Sequence, residues 1–234
     1  SDQATPCAPG TFNPPVRQET CTNCEAGTFQ ETAGRTACVP CTRGYYCATG
    51  AAAALPCPGG THRNQSLAVM TSVEQCVICP EGTFCPVGSA LATPCAPGTY
   101  NDGPGNATCR NCEAGTFQDD PGMTSCKPCT RGYYCAEGSA APLPCPGGTH
   151  KDVSLEVMSS VDDCITCAAG KFCPVGSAAE TDCAPGTYNG TTGSNDVSDC
   201  AQCAAGSITN TGTSTGASIC TACAVGKYSC GSSV

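Results

Sequence analysis

Thirteen times along this chain a cysteine is followed by two variable residues, a glycine, one more residue and then an aromatic or its substitute. The heads of this pattern are Cys7, Cys24, Cys41, Cys57, Cys79, Cys95, Cys112, Cys129, Cys145, Cys167, Cys183, Cys203 and Cys223. The third residue after every head is glycine, from Gly10 and Gly27 through to Gly226. The fifth is Phe or Tyr in ten repeats, and His62, His150 and Ile208 fill the slot in the others. Most repeats are 16 or 17 residues long, and 26 cysteines over thirteen heads leave two per repeat. Such regular segmentation points to many small units, one per repeat.

A longer period encloses the short one. Cys7 to Pro94 aligns without a gap on Cys95 to Asp182, an offset of 88 residues, with 56 of 88 positions identical. This organises the chain as residues 1–94, a first block of five repeats; 95–182, a second block of five; and 183–234, a partial third block of three.

A conventional core is not available to fill these blocks. There are five leucines, no Trp and 12 aromatics in 234 residues, and apart from Tyr45 and Tyr133 every aromatic sits in the repeat slot. Burying one Leu or Phe yields roughly 1.5–3 kcal/mol, against an ordering cost of about 1–2 kcal/mol per residue. Cysteine above a tenth of the residues, in even number, indicates covalent staples made in an oxidising compartment.

Each repeat is predicted to be a stapled hairpin. The glycine suits a tight turn, the following Thr and aromatic suit a short extended segment, and a second turn rich in Gly, Asp, Asn and Pro returns the chain to the closing cysteine. The pairing expected closes each repeat on itself. In eight repeats the head joins the first cysteine of a CxxC: Cys7 with Cys21, Cys24 with Cys38, Cys57 with Cys76, Cys95 with Cys109, Cys112 with Cys126, Cys145 with Cys164, Cys183 with Cys200, and Cys203 with Cys220. In five the partner comes directly after the aromatic: Cys41 with Cys47, Cys79 with Cys85, Cys129 with Cys135, Cys167 with Cys173, and Cys223 with Cys230. Interleaved pairing, such as Cys41 with Cys57 and Cys47 with Cys76, stays open on sequence alone.

Two repeats carry a longer segment, SLAVMTSV at 66–73 and SLEVMSSV at 154–161. Leu67, Met70 and Val73 recur at intervals of three, which fits a single helical turn or an irregular loop packed on a neighbouring repeat.

Catalytic and metal chemistry find little support. The second cysteine of every CxxC is itself a repeat head, so the eight CxxC pairs read as junctions between staples rather than as zinc ligands or thiol redox sites. His62 and His150, the only histidines, read as stacking or spacer residues in the aromatic slot. Asp119-Asp120 and Asp162-Asp163 lie outside any D-x-D-x-D-G loop and read as solvated turn carboxylates rather than calcium ligands. No nucleophile, base and orienting acid come together, so no enzyme and no cofactor is expected.

A net charge of −9 with ten Lys and Arg excludes the basic footprint of a nucleic-acid binder, and no apolar run approaches the 18 or so residues of a membrane span. Three sequons, at Asn64, Asn106 and Asn189, are candidate N-glycan sites and fit a secreted or cell-surface chain. The Thr-rich stretch ITNTGTSTGAS at 208–218 is a candidate for O-linked sugar. The opening SDQATPC has neither a basic flank nor an apolar stretch, as expected of a mature chain or a fragment of one.

The motif C-x-x-G-T-[FY]…C-x-x-C interspersed with G-Y-Y-C-x-x-G…P-C-P-x-G-T resembles the ephrin-receptor-like cysteine-rich repeats of large extracellular proteins, including protist surface and flagellar-hair proteins. The residues that carry it include Cys24, Gly27, Phe29, Cys38 and Cys41, then Gly44, Tyr46, Cys47, Gly50 and Cys57. The repeat also resembles the single-disulfide module of tumour necrosis factor receptors. The resemblance implies an elongated extracellular rod used as stalk, spacer, filament or adhesive surface, and carries over no catalytic residue.

The sequence thus predicts small disulfide-rich repeats: an elongated tandem array of about 13 short β-hairpin-like units with little regular secondary structure and no large core, each touching mainly its neighbours. The expected function is a non-enzymatic extracellular structural protein, a stapled and glycosylated rod, stalk or filament component. The alternative is a receptor ectodomain or adhesin binding a protein or glycan. Expected partners are further copies of the chain or other extracellular proteins, with N-linked and O-linked glycans.

Overall fold

The structure, a computed structural model, describes residues 5–15 and 19–225. Its contacts divide into two compact portions, one running to Arg110 with Asp120–Ser125, the other comprising Asn111–Asp119 and the chain from Cys126. Both are built the same way. Among the described residues twelve antiparallel hairpins follow one another, one for each repeat from the one headed by Cys7 to the one headed by Cys203, each from two strands of two or three residues. The first strand is always the Thr-aromatic segment or its equivalent, as in Thr28–Phe29, which pairs with Val39–Pro40 in the register Thr28↔Pro40, Phe29↔Val39. Among the described residues there is no α-helix, so none long and apolar enough to cross a membrane.

The head turn explains the motif residue by residue. Every described head glycine has positive φ, between 72° and 88°, while no other residue type does among the described residues. Where a threonine follows the glycine, that residue donates its hydroxyl to the carbonyl three residues back, 2.7 Å for Thr61 to Pro58 and 2.8 Å for Thr28 to Glu25, which closes the turn. The amide of the next head then donates to the head-glycine carbonyl, for example Cys24 to Gly10 at 2.9 Å.

Sulfur takes the place of a core. Of the sixteen buried apolar residues among those described, thirteen are cysteines; the others are Met70, Met158 and Ala217. The head aromatics, such as Phe12, Phe29 and Tyr46, are only half-buried. A two-residue hairpin with so little apolar cover is not stable alone, so the staples and the neighbouring repeats must supply what is missing.

Segment 66–73 settles one open alternative. It forms irregular turns, not a helical turn; a short 3₁₀ element follows at Val73–Gln75. Met70 is fully buried, Leu67 half-buried and Val73 exposed, so the three do not share an apolar face. Packing wins over periodicity because the Met70 carbonyl is held by the Cys47 amide of the preceding repeat, 3.1 Å away.

Candidate functional site: the spine between repeats

Twelve disulfides are formed within the described residues. The long-loop class joins Cys7 to Cys21, Cys24 to Cys38, Cys57 to Cys76, Cys95 to Cys109, Cys112 to Cys126, Cys145 to Cys164, Cys183 to Cys200 and Cys203 to Cys220. The short-loop class joins Cys41 to Cys47, Cys79 to Cys85, Cys129 to Cys135 and Cys167 to Cys173, each separated by six residues. Cys230, assigned from sequence to Cys223, lies outside the described residues. Each CxxC, such as Cys38 and Cys41, is divided between two different disulfides, so neither sulfur is a free thiolate.

The two classes hold their hairpins differently. A long-loop bridge closes at the start of the returning strand, as Cys38 directly before Val39–Pro40, and by loop closure contributes roughly 3 kcal/mol; a six-residue loop contributes roughly 2 kcal/mol. The short bridge closes well before the returning strand. In the repeat headed by Cys41, the bridge ends at Cys47, whereas the returning strand is Leu55–Pro56. That return is fastened by its neighbour: the Gly50 amide donates to the Cys24 carbonyl at 2.8 Å, and Gln30 donates to Ala51 at 3.1 Å.

This fastening recurs along both portions as three kinds of backbone hydrogen bond. The head-glycine amide donates forward to the carbonyl just after the aromatic of the next repeat, as Gly10 to Gln30, Gly82 to Asn101 and Gly148 to Cys173, at 2.7–2.9 Å. The glycine at the tip of the next repeat donates back to the head cysteine, as Gly34 to Cys7, Gly88 to Cys57 and Gly193 to Cys167, at 2.8–2.9 Å. The amide after each aromatic donates to a tip carbonyl, as Arg63 to Ser89 and Cys173 to Ser194, at 2.9–3.0 Å. At about 0.5–1.5 kcal/mol net per bond, the interfaces are bonded through groups that every residue carries. Side chains that do not enter the joint are therefore free to vary.

Contact also reaches the repeat after next, which the repeat pattern alone does not foretell. A Cβ on Gly148 would sit under 3.0 Å from the Gly193 carbonyl, and one on Gly60 equally close to that of Gly105, in each case two repeats on. Gly44 meets Gly88, Gly82 meets Gly122, and Gly170 meets Gly216 in the same manner; Gly27 and Gly115 instead meet the side chains of Val69 and Val157. The head glycine thus serves twice, in its turn and as the notch for a second neighbour.

Side-chain amides rivet the same joints. Asn101 is fully buried, and its Nδ2 donates to the Thr83 carbonyl at 2.9 Å and to Thr108 at 3.1 Å. Asn189, 88 residues on, is 3 % exposed; its Nδ2 donates to Lys171 at 3.0 Å and its Oδ1 accepts from the Thr191 amide at 3.0 Å. Asn101 has this role with no sequon, so the role belongs to the position. The atom to which an N-glycan would be joined is committed at Asn189. At Asn106 the Nδ2 donates to Gly103 at 2.7 Å. At Asn64 only the oxygen is used, accepting from the Ser66 amide at 3.0 Å, as Asp152 does from Ser154 at 2.8 Å in the second block. Asn64 is the sequon whose nitrogen the fold does not need.

The histidines lie in strands, with Nδ1 2.8 Å from the carbonyl of the next residue, Arg63 for His62 and Lys151 for His150. His150 is nearly buried and faces a charged cluster: its Nε2 lies 3.6 Å from Glu180, which Lys171 Nζ meets at 2.7 Å, with Asp182 a further 3.7 Å from that ammonium. The hydrogen bond from Lys171 holds the Glu180 carboxyl below its ordinary value, with the charge of His150 a minor contributor. The acidic pairs are more than solvated turns. Asp119 pairs with Lys127, and Asp163 caps a 3₁₀ turn by accepting from the Ser159 and Ser160 amides, which lowers its pKa. The Thr-rich 208–218 stretch is the hairpin tip of its repeat, with Thr209, Thr211 and Thr215 hydroxyls all hydrogen-bonded and Thr213 exposed.

No protein-family model matches the chain, and no curated protein matches it. What it is, on residues and geometry, is a tandem array of small disulfide-bonded hairpin repeats.

Proposed function

We propose that this chain is a non-enzymatic extracellular spacer: a disulfide-stapled, glycosylated rod or stalk, allied to the ephrin-receptor-like cysteine-rich repeats, whose work is mechanical. One observation carries the reading. Between Cys7 and Cys220 no stretch outside a disulfide loop exceeds nine residues, as at 48–56 between Cys47 and Cys57. Nine residues extend to about 30 Å at most, so tension or a protease finds only short free segments. Disulfides at this density persist in oxidising surroundings, which fits a secreted or surface chain. Sugar at Asn64 and at exposed Thr213, with acidic turns, keeps such a rod soluble.

Pulling single molecules with and without reductant tests this. The oxidised chain is expected to yield little length, and reduction to release on the order of 450 Å of further contour. Equal extension and equal protease resistance in both states would overturn the reading. Sizing at several concentrations separates a monomeric rod from a filament-former.

A second reading, an adhesive surface, is favoured by one specific feature: two chemically alike clefts that recur with the 88-residue period.

A further inference from the structure

Ten cations must serve a chain of net charge −9, and their distribution is uneven. Arg110, Lys127 and Lys171 each meet a carboxylate, at Asp102, Asp119 and Glu180. Four others line two clefts instead: Arg43 and Arg63 in one, Arg131 and Lys151 in the other. Among the described residues none of these four has a carboxylate within 4.0 Å.

The clefts are equivalent places in the two blocks. The first, of about 300 Å³, is lined by Thr42, Arg43 and Tyr45 of one repeat and Arg63 and Met70 of the next. The second, of about 350 Å³, is lined by Thr130, Arg131 and Tyr133 and by Lys151 and Met158 of the next repeat. Of thirteen heads, only these two place a cation between cysteine and glycine, and only these two double the tyrosine. Where the repeat changes Arg63 to Lys151, the charge is kept.

The parts are held for use. Met70 and Met158 are buried floors. Tyr45 and Tyr133 rest against the tip glycines Gly88 and Gly176, so each ring is braced by another repeat. Arg63 is fixed by donating to the Leu67 and Ala68 carbonyls at 2.9 and 3.0 Å, while the exposed Arg43 and Arg131 guanidinium groups have no hydrogen-bond or ion-pair partner among the described residues. A fixed cation, a free fork and a braced ring make a site in which a planar oxyanion is held by paired donors and a ring-shaped apolar face lies on the tyrosine. The volumes sit at the small end of ligand pockets, about 300–1,000 Å³.

We infer that these clefts are two copies of a binding site for the carboxylate or sulfate groups of an acidic polysaccharide. A polymer whose charged sugar recurs suits a site that recurs on the chain. The overall negative charge does not forbid it, because screening over about 8 Å at physiological ionic strength leaves local charge in control. The second cleft also contains Glu156 where the first has Ala68, so the first is the stronger site.

Titration of the full oxidised chain with a sulfated hexasaccharide, a polyuronate hexasaccharide, neutral dextran and polyglutamate tests the inference. One or both acidic saccharides are expected to bind, more weakly as salt rises, and which of them binds tells sulfate from carboxylate. Arg43→Ala is expected to weaken binding about fivefold, Arg131→Ala less, and the double variant at least tenfold, with Arg35→Ala unchanged. Unreduced mass and protease resistance check that each variant keeps its bridges. Binding that survives the double variant, equal binding of dextran, tighter binding of polyglutamate, or no binding of either acidic saccharide would overturn the site. The spacer reading stands apart from these outcomes, since extension under force does not depend on the clefts.

Discussion

Residues 7–94 and 95–182 share 56 of 88 positions, and the differences between them cluster. Thr83, Ala92 and Pro94 of the first block are replaced by Lys171, Glu180 and Asp182 in the second, and these three meet beside His150. In the first block His62 occupies the same strand slot with the same Nδ1 contact but no carboxylate partner. A whole charged cluster has been exchanged for small and neutral residues with the hairpins intact: Thr83–Phe84 pairs with Thr93–Pro94 as Lys171–Phe172 pairs with Thr181–Asp182. Backbone groups hold the repeats together, so side chains on the strands can change as a set. What cannot change is whatever touches the joint itself: the cysteines, the head glycines and the buried amides.

The sharpest way to break that account is to put a methyl group in the joint. Gly148→Ala and Gly60→Ala are expected to cost more than about 2 kcal/mol each, because positive φ and a carbonyl from two repeats on both oppose the Cβ. Gly206→Ala has nearly the same φ but, among the described residues, nothing within 4 Å, and is expected to cost about 1 kcal/mol. Thermal unfolding of the oxidised chains ranks the three; equal losses would remove the second-neighbour contact from the account.

Asn189→Ala and Asn101→Ala come next, at about 1–3 kcal/mol, because each leaves a part-buried carbonyl, that of Lys171 or Thr83, without this donor. Asn64→Ala gives up only an exposed turn bond and is expected to cost well under 1 kcal/mol. Glycopeptide mass spectrometry sharpens the same contrast, with sugar expected at Asn64 and none at Asn189.

The cluster itself is worth less. Glu180→Gln is expected to destabilise by at most about 1 kcal/mol at neutral pH, since Lys171 is partly exposed. The Glu180 pKa is depressed in the folded chain, so its contribution is complete above the ordinary value of 4.5 and is lost as pH falls through the lower folded value. Unfolding curves of native and variant chains should therefore converge in acid and separate above about pH 5; a constant gap at all pH values would mean the loss is packing. Arg110→Ala, which breaks an exposed pair with Asp102, should change stability by no more than about 0.5 kcal/mol.

Much of this fold is legible in the sequence. The two-per-repeat cysteine count and the fixed glycine and aromatic prescribe a stapled hairpin, and twelve such hairpins form. The second role of the head glycine is not legible there, because positive φ alone accounts for glycine, while the carbonyl that fills the missing Cβ comes from about 40 residues away. The role of Asn189 in the joint is hidden for a related reason: its sequon is visible in three letters, whereas its bond to Lys171 depends on the neighbouring repeat. A signal is present in the recurrence of asparagine at 13, 101 and 189, after the aromatic of the first repeat in each block, with a sequon at only the last. The helical spacing of Leu67, Met70 and Val73 is overridden by the Cys47 amide, a partner that periodicity does not see.

The claim beneath all of this is that each repeat closes on itself and is then joined to its neighbours through backbone. Proteolysis without reduction, followed by mass spectrometry of the cross-linked peptides, tests it most directly at the short loops. Self-closure predicts Cys41 linked to Cys47, Cys57 to Cys76 and the same arrangement 88 residues on, with no free thiol. Peptides linking Cys41 to Cys57 and Cys47 to Cys76, or reduced cysteines at the CxxC junctions, would contradict it.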